Sequence, residues 1–323
     1  PGQGDYRIAL FDPSPDRIKK AVKIVGRNTP WRNKQDIWFT NEPLIARGGK
    51  VAFLFPGLDG LGGGEVDSVA AHFNLAGTPA GNKDNVYESA LTLLERSRII
   101  DTALKQMGIR PDLNAGHSMG EWLAGRSAGM ATEASILEIL QDLNPQALET
   151  ENAKFLVTGV GYDQLLPLLE GRQDIYLSMD NCPQQAILCG TDAAVADFIE
   201  VLKAKQIFHQ ILPFQSGFHS PFVAKKTDVL LAGISKIQWL KPEIPFWSAT
   251  TLDLYPDTYE AIRDLSVDHL IKPVRFRELT QKLYEQENVR VFIQAGAGGL
   301  IGFVDDTLKG KAYSAIAANV PTR

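Results

Sequence analysis

The pentapeptide Gly116-His117-Ser118-Met119-Gly120 is reached through "DLNAG" and is followed by the helical pattern "EWLAGRSAGM". A G-x-S-x-G pattern presents its serine as a nucleophile where a strand ends in a sharp turn and a helix begins directly behind it. The flanking glycines let neighbouring backbone approach, and the helix N-terminus supplies amide donors that suit a developing oxyanion. The pentapeptide therefore predicts a strand–turn–helix unit with Ser118 as a candidate nucleophile. The alternative is an ordinary turn whose serine is solvated or caps the helix.

Strand and helix patterns alternate on both sides of this pentapeptide. Upstream, the continuous apolar run 51–55 stops at Pro56-Gly57, which is typical of a buried parallel strand that feeds a tight turn. A helical pattern then ends at Gly108, and the alternation resumes later with "EIPFWSAT", helices near 257–287 and the strand "VRVFIQAG". This alternation predicts a parallel α/β sheet.

Residues 153–214 have a different pattern, in the order strand, helix, strand, strand, helix, strand. That order is typical of a ferredoxin-like unit. We therefore expect an α/β fold with a hydrolase-like parallel-sheet large subdomain, residues 50–152 and 215–323, and an inserted ferredoxin-like (βαββαβ) small subdomain, residues 153–214. Residues 1–49 are expected to form a separate segment with a strand and a helix of its own.

Composition and charge narrow the class of protein. The net charge of −5 without any basic stretch argues against nucleic acid as the main partner. The two cysteines, Cys182 and Cys189, form neither a C-x-x-C pair nor a metal-ligand cluster, which favours a reducing, cytoplasmic setting and no metal site. No apolar run approaches the ~18 residues that a membrane span needs, and no signal peptide is visible. Because the chain begins at Pro1, we interpret it as a piece of a longer polypeptide or as carrying a tag remnant.

A serine hydroxyl becomes a good nucleophile only when a base takes its proton, so the histidines matter. Of the five, His117 adjoins Ser118 and is expected to point away from it, and His209 falls in a predicted strand. His219 lies in "FQSGFHSPF", a loop just after the small subdomain, where a cleft between subdomains is expected. His219 is therefore the candidate base, and a solvated loop histidine is the alternative.

Six segments in fixed order resemble the acyltransferase domains of polyketide and fatty acid synthases and the free-standing malonyl transacylases. They are "FLFPGLDG", "GHSMGE", "NCPQQAILCG", "SGFHSPF", "HLIKPVRF" and "VFIQAGAGGLIG". The resemblance covers roughly residues 50–315. Residues 1–49 resemble the linker that joins a ketosynthase to such a domain and packs on it. The segments "SGFHSP" and "DDTLKG" are similar to those of iterative synthases of the enediyne or polyunsaturated-fatty-acid type.

The resemblance implies a ping-pong transfer in fatty acid or polyketide (secondary metabolite) biosynthesis. Ser118 would take the acyl group from a coenzyme A thioester and pass it to the phosphopantetheine thiol of an acyl carrier protein. His219 would act as base and then as acid. The oxyanion hole would use the backbone N–H groups of Leu58 and Met119, and the main-chain carbonyl of His269 would orient His219. No tightly bound cofactor is implied, and a neighbouring ketosynthase is the implied further partner.

Several residues depart from the family pattern and bear on the substrate. Malonyl-using members carry an arginine where this chain has Leu143, and a malonyl carboxylate buried there unpaired is costly. Either the acyl group is monocarboxylic, such as acetyl, or another cation such as Arg126 serves malonyl. Phe218 before the histidine favours a small or unbranched acyl group. Asn181 of "NCPQQ" and Glu88, near a family glutamine position, are further candidate substrate-binding residues.

Two other functions fit parts of the sequence. The chain order Ser118, then Asp253 or Asp257, then His269 formally matches an α/β-hydrolase triad, and an acyltransferase fold that admits water would also hydrolyse acyl thioesters. A docking module whose catalysis has decayed is the alternative that a missing arginine favours.

Overall fold

The computed structural model describes residues 6–34, 36–57, 66–77, 86–132, 134–136 and 153–319. Leu58 and Leu143, expected in the oxyanion hole and in the acyl pocket, lie outside the described residues. The chain divides into two compact units, Pro1–Gly49 and Lys50–Arg323.

The first unit contains an antiparallel sheet and one helix. Its described strands pair in the order β1-β3-β2. In chain order its elements are β1 (Arg7–Leu10), α1 (Pro15–Gly26), β2 (Trp31–Lys34) and β3 (Ile37–Thr40). The helix begins where the Ser14 side chain accepts a hydrogen bond from the Arg17 N–H and Pro15 fixes the first turn. Ile24, Ile37 and Phe39 form the small core that joins helix and sheet.

The second unit holds all the motifs that the sequence singles out. Its described elements in chain order are β4 (Lys50–Phe55), α2 (Asp67–His72), α3 (Val86–Gln106), β5 (Leu113–Gly116), α4 (Met119–Ser127), β6 (Ala153–Thr158), α5 (Tyr162–Leu169), β7 (Ile175–Cys182), β8 (Gln185–Thr191), α6 (Asp192–Ala204), β9 (His209–Gln215), α7 (Pro221–Ala224), α8 (Thr227–Ile234), β10 (Phe246–Trp247), α9 (Tyr259–Ile271), α10 (Phe276–Glu285), β11 (Val289–Gln294), α11 (Leu300–Thr307) and β12 (Ser314–Ala317).

The large sheet is parallel and buried on both faces. Within the described ranges its strand order is β10-β5-β4-β11-β12. Val51, Phe53 and Phe55 of β4 enter one apolar cluster, whereas Ala52 and Leu54 enter the cluster on the opposite face. The unbroken apolar run follows from this double burial, since neither face of the strand meets water.

The small sheet is antiparallel, with the order β7-β8-β6-β9 among the described strands. Its two helices, α5 and α6, pack on one face through a cluster that includes Leu165 and Phe198. This is the βαββαβ arrangement expected from the sequence, and the parallel large sheet is the other half of that expectation, so the predicted fold class is confirmed.

One expected strand is much shorter than its sequence indicates. "EIPFWSAT" forms only β10, Phe246–Trp247. The ladder stops because the next backbone groups have other partners: the Ala249 N–H donates to Glu121 Oε2 at 3.0 Å, and the Ala249 carbonyl accepts from the Arg275 N–H at 2.9 Å.

The two subdomains are joined beside the end of β7. The Asp180 N–H donates to the Val274 carbonyl, and the Val274 N–H donates to the Ser178 carbonyl. Arg277 of α10 reaches Asp180 Oδ2 at 2.8 Å and makes a two-pronged contact with Asp163 of α5. Asp180 is almost fully buried, so Arg277 supplies its charge partner and links α10 to β7 and α5.

Candidate active site

Ser118 occupies the sharp turn between β5 and α4. Its backbone has φ 54° and ψ −125°, outside the regions that residues with a Cβ normally adopt. The turn brings backbones into close approach at both flanking glycines. A Cβ on Gly120 would lie 1.9 Å from the Phe55 carbonyl oxygen, and one on Gly116 would lie 2.2 Å from the backbone of Gly120 and Glu121. The two glycines of the pentapeptide are therefore sterically required, and they make the strained turn possible.

Ser118 and His219 form a hydrogen-bonded pair. Ser118 Oγ lies 2.8 Å from His219 Nε2, although the two residues are 101 positions apart. His219 is buried, and its Nδ1 lies 2.8 Å from the main-chain carbonyl oxygen of His269. A carbonyl only accepts, so Nδ1 carries the proton and Nε2 is free to accept the proton of the serine hydroxyl. This is the arrangement of a nucleophile with its general base.

The His219 backbone is held as firmly as its ring. Its φ is 58°, in the left-handed region, and its N–H donates to the Leu270 carbonyl at 2.8 Å. Burial lowers the pKa of His219 well below its ordinary value, and the neighbouring His269 lowers it further. Near neutral pH the imidazole is therefore unprotonated, as a base for Ser118 must be.

The His269 side chain approaches the nucleophile from the other side. Its Nε2 lies 2.9 Å from the Ser118 carbonyl oxygen, and its Nδ1 lies 2.9 Å from Thr250 Oγ1 and 3.2 Å from Glu121 Oε2. Glu121 is itself buried and accepts hydrogen bonds from the hydroxyls of Ser248 and Tyr255. Burial, and next the charge of Glu121, raise the pKa of Tyr255 well above its ordinary value, which keeps that phenol a donor.

His117 turns away from Ser118, as expected, and faces the small subdomain. Its Nε2 lies 2.7 Å from Asn181 Oδ1 in the buried interior. The Asn181 amide nitrogen donates in turn to Gln185 Oε1 at 2.8 Å. Asn181, expected to bind substrate, therefore contacts His117, the residue next to Ser118. This contact links the small sheet to the serine turn.

Met119 is the first residue of α4, where a backbone N–H has no partner inside the helix. It stands directly after the nucleophile, at the positive end of the helix dipole. That placement suits the oxyanion-hole donor expected there. Leu58, the other expected donor, follows Gly57, the last residue described on that side.

Arg126 is not brought to the Ser118–His219 pair. Its guanidinium lies 4.0 Å from Asp101 Oδ2 and lines a cavity of about 350 Å³ between α3 and α4. Asp101 also accepts from the Lys105 ammonium and the Ser127 hydroxyl, both at 2.9 Å. Neither Ser118 nor His219 lines this cavity. The interpretation of Arg126 as a substrate-binding cation has no geometric support at the pair.

Of the candidate substrate-binding residues Phe218 and Glu88, Phe218 adjoins the base. Phe218 is partly buried beside His219 and packs against the apolar clusters on both faces of the large sheet. Glu88 lies in the first turn of α3. Phe218 is therefore placed to restrict the space next to the base.

Neither cysteine competes with Ser118 as a nucleophile, and the geometry gives the alternative triad no support. Burial raises the pKa of Cys182 to about 12 and that of Cys189 to about 11, so neither is a ready thiolate. Asp257 pairs with Lys241 at the surface, at 3.0 Å. His269 directs its ring at Ser118 through the carbonyl oxygen, with Glu121 and Thr250 behind it, so it is not the base of a serine–histidine–aspartate triad.

Glu121, like Thr250, faces the His269 ring and was not singled out by the sequence analysis. It stands within "GHSMGE", three positions after Ser118, but a glutamate in the first helical turn is ordinarily a solvated complement to the dipole. One signal in the sequence could have indicated its burial. Its neighbours along the helix in "MGEWLAG" are all apolar or small, which is typical of a buried helix face.

In the part of the chain that the structure describes, no three His, Cys, Asp or Glu side chains are grouped so as to hold a metal ion. No helix in that part is both long and apolar enough to span a membrane.

Comparison with known proteins identifies the family. The family described as "Acyl transferase domain" matches residues 82–322, well over half of the chain. The chain belongs to the acyl transferase domain family. The resemblance stated from the sequence motifs is thereby confirmed, and the chain is classed with acyltransferase enzymes.

Three similar proteins illustrate how far the likeness of this acyl transferase domain extends. The "Polyketide biosynthesis acyltransferase homolog BaeD" of Bacillus velezensis is 28% identical over 62% of the chain, which spans 60% of that protein's length. The "Malonyl CoA-acyl carrier protein transacylase" of Bacillus subtilis is 27% identical over 71% of the chain and 75% of its own length. A solved type II polyketide synthase acyl carrier protein in complex with its malonyl-transacylase shares the fold, with a TM-score of 0.73 and 21% identity over 84% of the chain and 96% of its own.

Proposed function

We propose that this chain transfers an acyl group from an acyl-coenzyme A thioester to the phosphopantetheine thiol of an acyl carrier protein, through an ester on Ser118. The observation that carries the proposal is the 2.8 Å contact between Ser118 Oγ and His219 Nε2, with His219 Nδ1 held by a carbonyl. The family membership and the names of the relatives, a malonyl transacylase among them, support the same reaction class.

In the first half-reaction, Ser118 Oγ attacks the thioester carbonyl carbon while His219 Nε2 takes the hydroxyl proton. The oxyanion that forms is stabilised by the Met119 N–H at the start of α4 and, in the proposal, by the Leu58 N–H. The carbon–sulfur bond then breaks, and His219 gives its proton to the departing coenzyme A thiolate. The acyl group is left as an ester on Ser118, and His219 is neutral again.

The second half-reaction repeats these steps in the opposite direction. His219 takes the proton of the carrier protein's thiol, and the thiolate attacks the ester carbonyl carbon. Ser118 leaves with the proton that His219 returns to its oxygen, so no proton or electron pair is left over. Because both halves need an unprotonated His219 at the start, the lowered pKa of this histidine serves both.

The substrate we propose is a small or unbranched acyl group, either malonyl or a starter such as acetyl. Phe218 supports this choice, since its ring occupies space beside the base. Leu143, Asn181, Glu88 and Arg126 complete the proposed set of substrate-binding residues; in the structure, Asp101 faces Arg126.

Intact-protein mass spectrometry after incubation with acetyl-, malonyl- and octanoyl-coenzyme A tests the proposal. We expect an added acyl mass on the wild-type protein that is missing in Ser118→Ala and that disappears when a carrier protein in its phosphopantetheinylated form is added. Loss of the added mass in buffer alone, at the rate seen with carrier protein, would identify a thioester hydrolase. The absence of any acyl adduct would favour a docking module without catalysis.

A further inference from the structure

One residue, His269, contacts both members of the proposed catalytic pair through opposite ends. Its main-chain carbonyl accepts from His219 Nδ1 at 2.8 Å, and its side-chain Nε2 lies 2.9 Å from the carbonyl oxygen of Ser118. The next carbonyl along the chain, that of Leu270, accepts the His219 N–H. The distance between nucleophile and base is therefore set largely by where the end of α9 holds His269.

The direction of the side-chain contact is fixed by chemistry. A carbonyl oxygen only accepts, so His269 Nε2 must carry a hydrogen and donate it to Ser118. The same donor position in a solvated histidine would bond to water, but the His269 side chain is completely buried. A buried donor without its acceptor is costly, so the contact restrains the strained serine turn rather than merely touching it.

The other side of the ring faces two groups, one from the segment after β10 and one from α4. Nδ1 faces Thr250 Oγ1 at 2.9 Å and Glu121 Oε2 at 3.2 Å. Glu121 is held in turn by the Ser248 and Tyr255 hydroxyls and by the Ala249 N–H. These donors leave the carboxylate no freedom to turn away, and the ring orientation of His269 is fixed through it, much as an outer carboxylate orients a metal-ligating histidine.

We infer that His269 is a positioning residue whose side-chain Nε2–H, backed by Thr250 and Glu121, holds the Ser118 turn at the distance from His219 that acyl transfer needs. This role is separate from that of its main-chain carbonyl, which any residue at the position would supply. The inference rests on the proposed acyl transfer for its meaning. It does not rest on the identity of the acyl group, since the His269 ring contacts Ser118, Thr250 and Glu121.

A matched pair of variants separates the side chain from the carbonyl. The amide nitrogen of His269→Gln can take the place of Nε2 and donate to Ser118, whereas that of His269→Asn reaches only the place of Nδ1. Both variants keep the main-chain carbonyl and a polar side chain. We expect His269→Gln to react within about threefold of wild type and His269→Asn to react about 10–100-fold more slowly, as is typical when an orienting partner is lost.

Two reactions are measured on each variant, together with its melting temperature. One is acylation of Ser118 across a range of acyl-coenzyme A concentrations. The other is labelling by a fluorophosphonate, which forms a bond from phosphorus to Ser118 Oγ with loss of fluoride and the hydroxyl proton. We expect the limiting rate to fall in His269→Asn while the half-saturating concentration changes by less than about twofold, because the His269 side chain is completely buried among protein groups.

The outcomes separate this inference from the proposed function. Fluorophosphonate labelling without acylation in the wild-type protein would refute acyl transfer, and the ratio of Gln to Asn labelling would still decide the role of His269. Equal labelling rates for the two folded variants would refute the positioning role. A lower melting temperature of His269→Asn with an unchanged labelling rate would refute it as well. If His269→Asn does not fold, Thr250→Val replaces it: the ring then lacks one of its two partners, and an unchanged labelling rate refutes the inference.

Discussion

Replacing Gly120 by alanine adds one methyl group at the closest backbone approach in the site. That Cβ would lie 1.9 Å from the Phe55 carbonyl oxygen, and real Cβ contacts are essentially never under 3.0 Å. The end of β4 and the start of α4 must therefore separate by about 1 Å. Because the neighbouring atoms are backbone, no side-chain rotation relieves the contact. An overpacked core of this kind costs about 1–3 kcal/mol, occasionally more, and alanine's better helix propensity offsets at most about 1 kcal/mol of it.

Gly233→Ala is the matched control, since this glycine also lies in a helix, α8, and a Cβ there meets nothing within 4 Å. The control should be more stable than wild type by about 0.5–1 kcal/mol. Gly120→Ala should unfold at a lower urea concentration than the control, and its free energy of unfolding should be lower by roughly 2 kcal/mol or more. Both values come from urea unfolding followed by circular dichroism.

The effect on chemistry should exceed the effect on stability. The displaced backbone carries Ser118 on one side and the segment that leads to Leu58 on the other, and a misplacement of about 1 Å at a catalytic group costs on the order of 100-fold in rate. Fluorophosphonate labelling of Ser118, read under conditions where both variants are folded, measures this directly. Labelling of Gly120→Ala at the wild-type rate, with unfolding equal to that of Gly233→Ala, would refute the steric reasoning.

Three further predictions follow from the same geometry. His219→Ala should slow acylation of Ser118 by about 10²–10⁴-fold. Because burial lowers the pKa of His219, the wild-type acylation rate should be constant around neutral pH and fall only when acid protonates the base. An acylation rate that falls between pH 8 and pH 7 would contradict the assignment of His219 as the base. Arg277→Met should destabilise the fold by about 3–5 kcal/mol because it leaves the buried Asp180 carboxylate unpaired; adding Asp180→Asn should recover part of that loss in thermal unfolding, and no recovery would contradict the pairing. Phe218→Ala should raise the ratio of octanoyl to acetyl labelling at least about tenfold, and mass spectrometry of competing acyl-coenzyme A mixtures would show an unchanged ratio if the ring does not limit the acyl group.

The sequence predicted the parts of the molecule that depend on local pattern. The apolar run 51–55, the order of segments in 153–214 and the glycines around Ser118 each carry their structural reason within a few residues, so the two sheets and the serine turn could be anticipated. His219 was a candidate because its loop follows the small subdomain. These signals are local in sequence, and they predict the structure correctly because buried strands and tight turns accept few alternative residues.

The support around the pair could not be anticipated in the same way. Glu121 meets Ser248 and Tyr255 across 127 and 134 positions of sequence, and His269 meets Ser118 across 151. Such contacts depend on how the helices pack on the sheet. Sequence periodicity predicts which face of a helix is buried but not which residues that face contacts. The surroundings of Arg126 are likewise set by packing: eight residues after Ser118, its Cα lies about 12 Å further along the helix, where its guanidinium faces α3 and Asp101.

The positive backbone φ at both Ser118 and His219 sets a limit on how this fold can be stabilised. A residue with a Cβ and a positive φ costs about 1–3 kcal/mol relative to glycine, and here both members of the reacting pair carry this strain. Glycine at either position would relax the chain and at the same time remove the hydroxyl or the imidazole. A selection for thermal stability alone would therefore enrich inactive proteins at these two positions, and screens for robust variants need an activity filter or substitutions confined to sites such as Gly233.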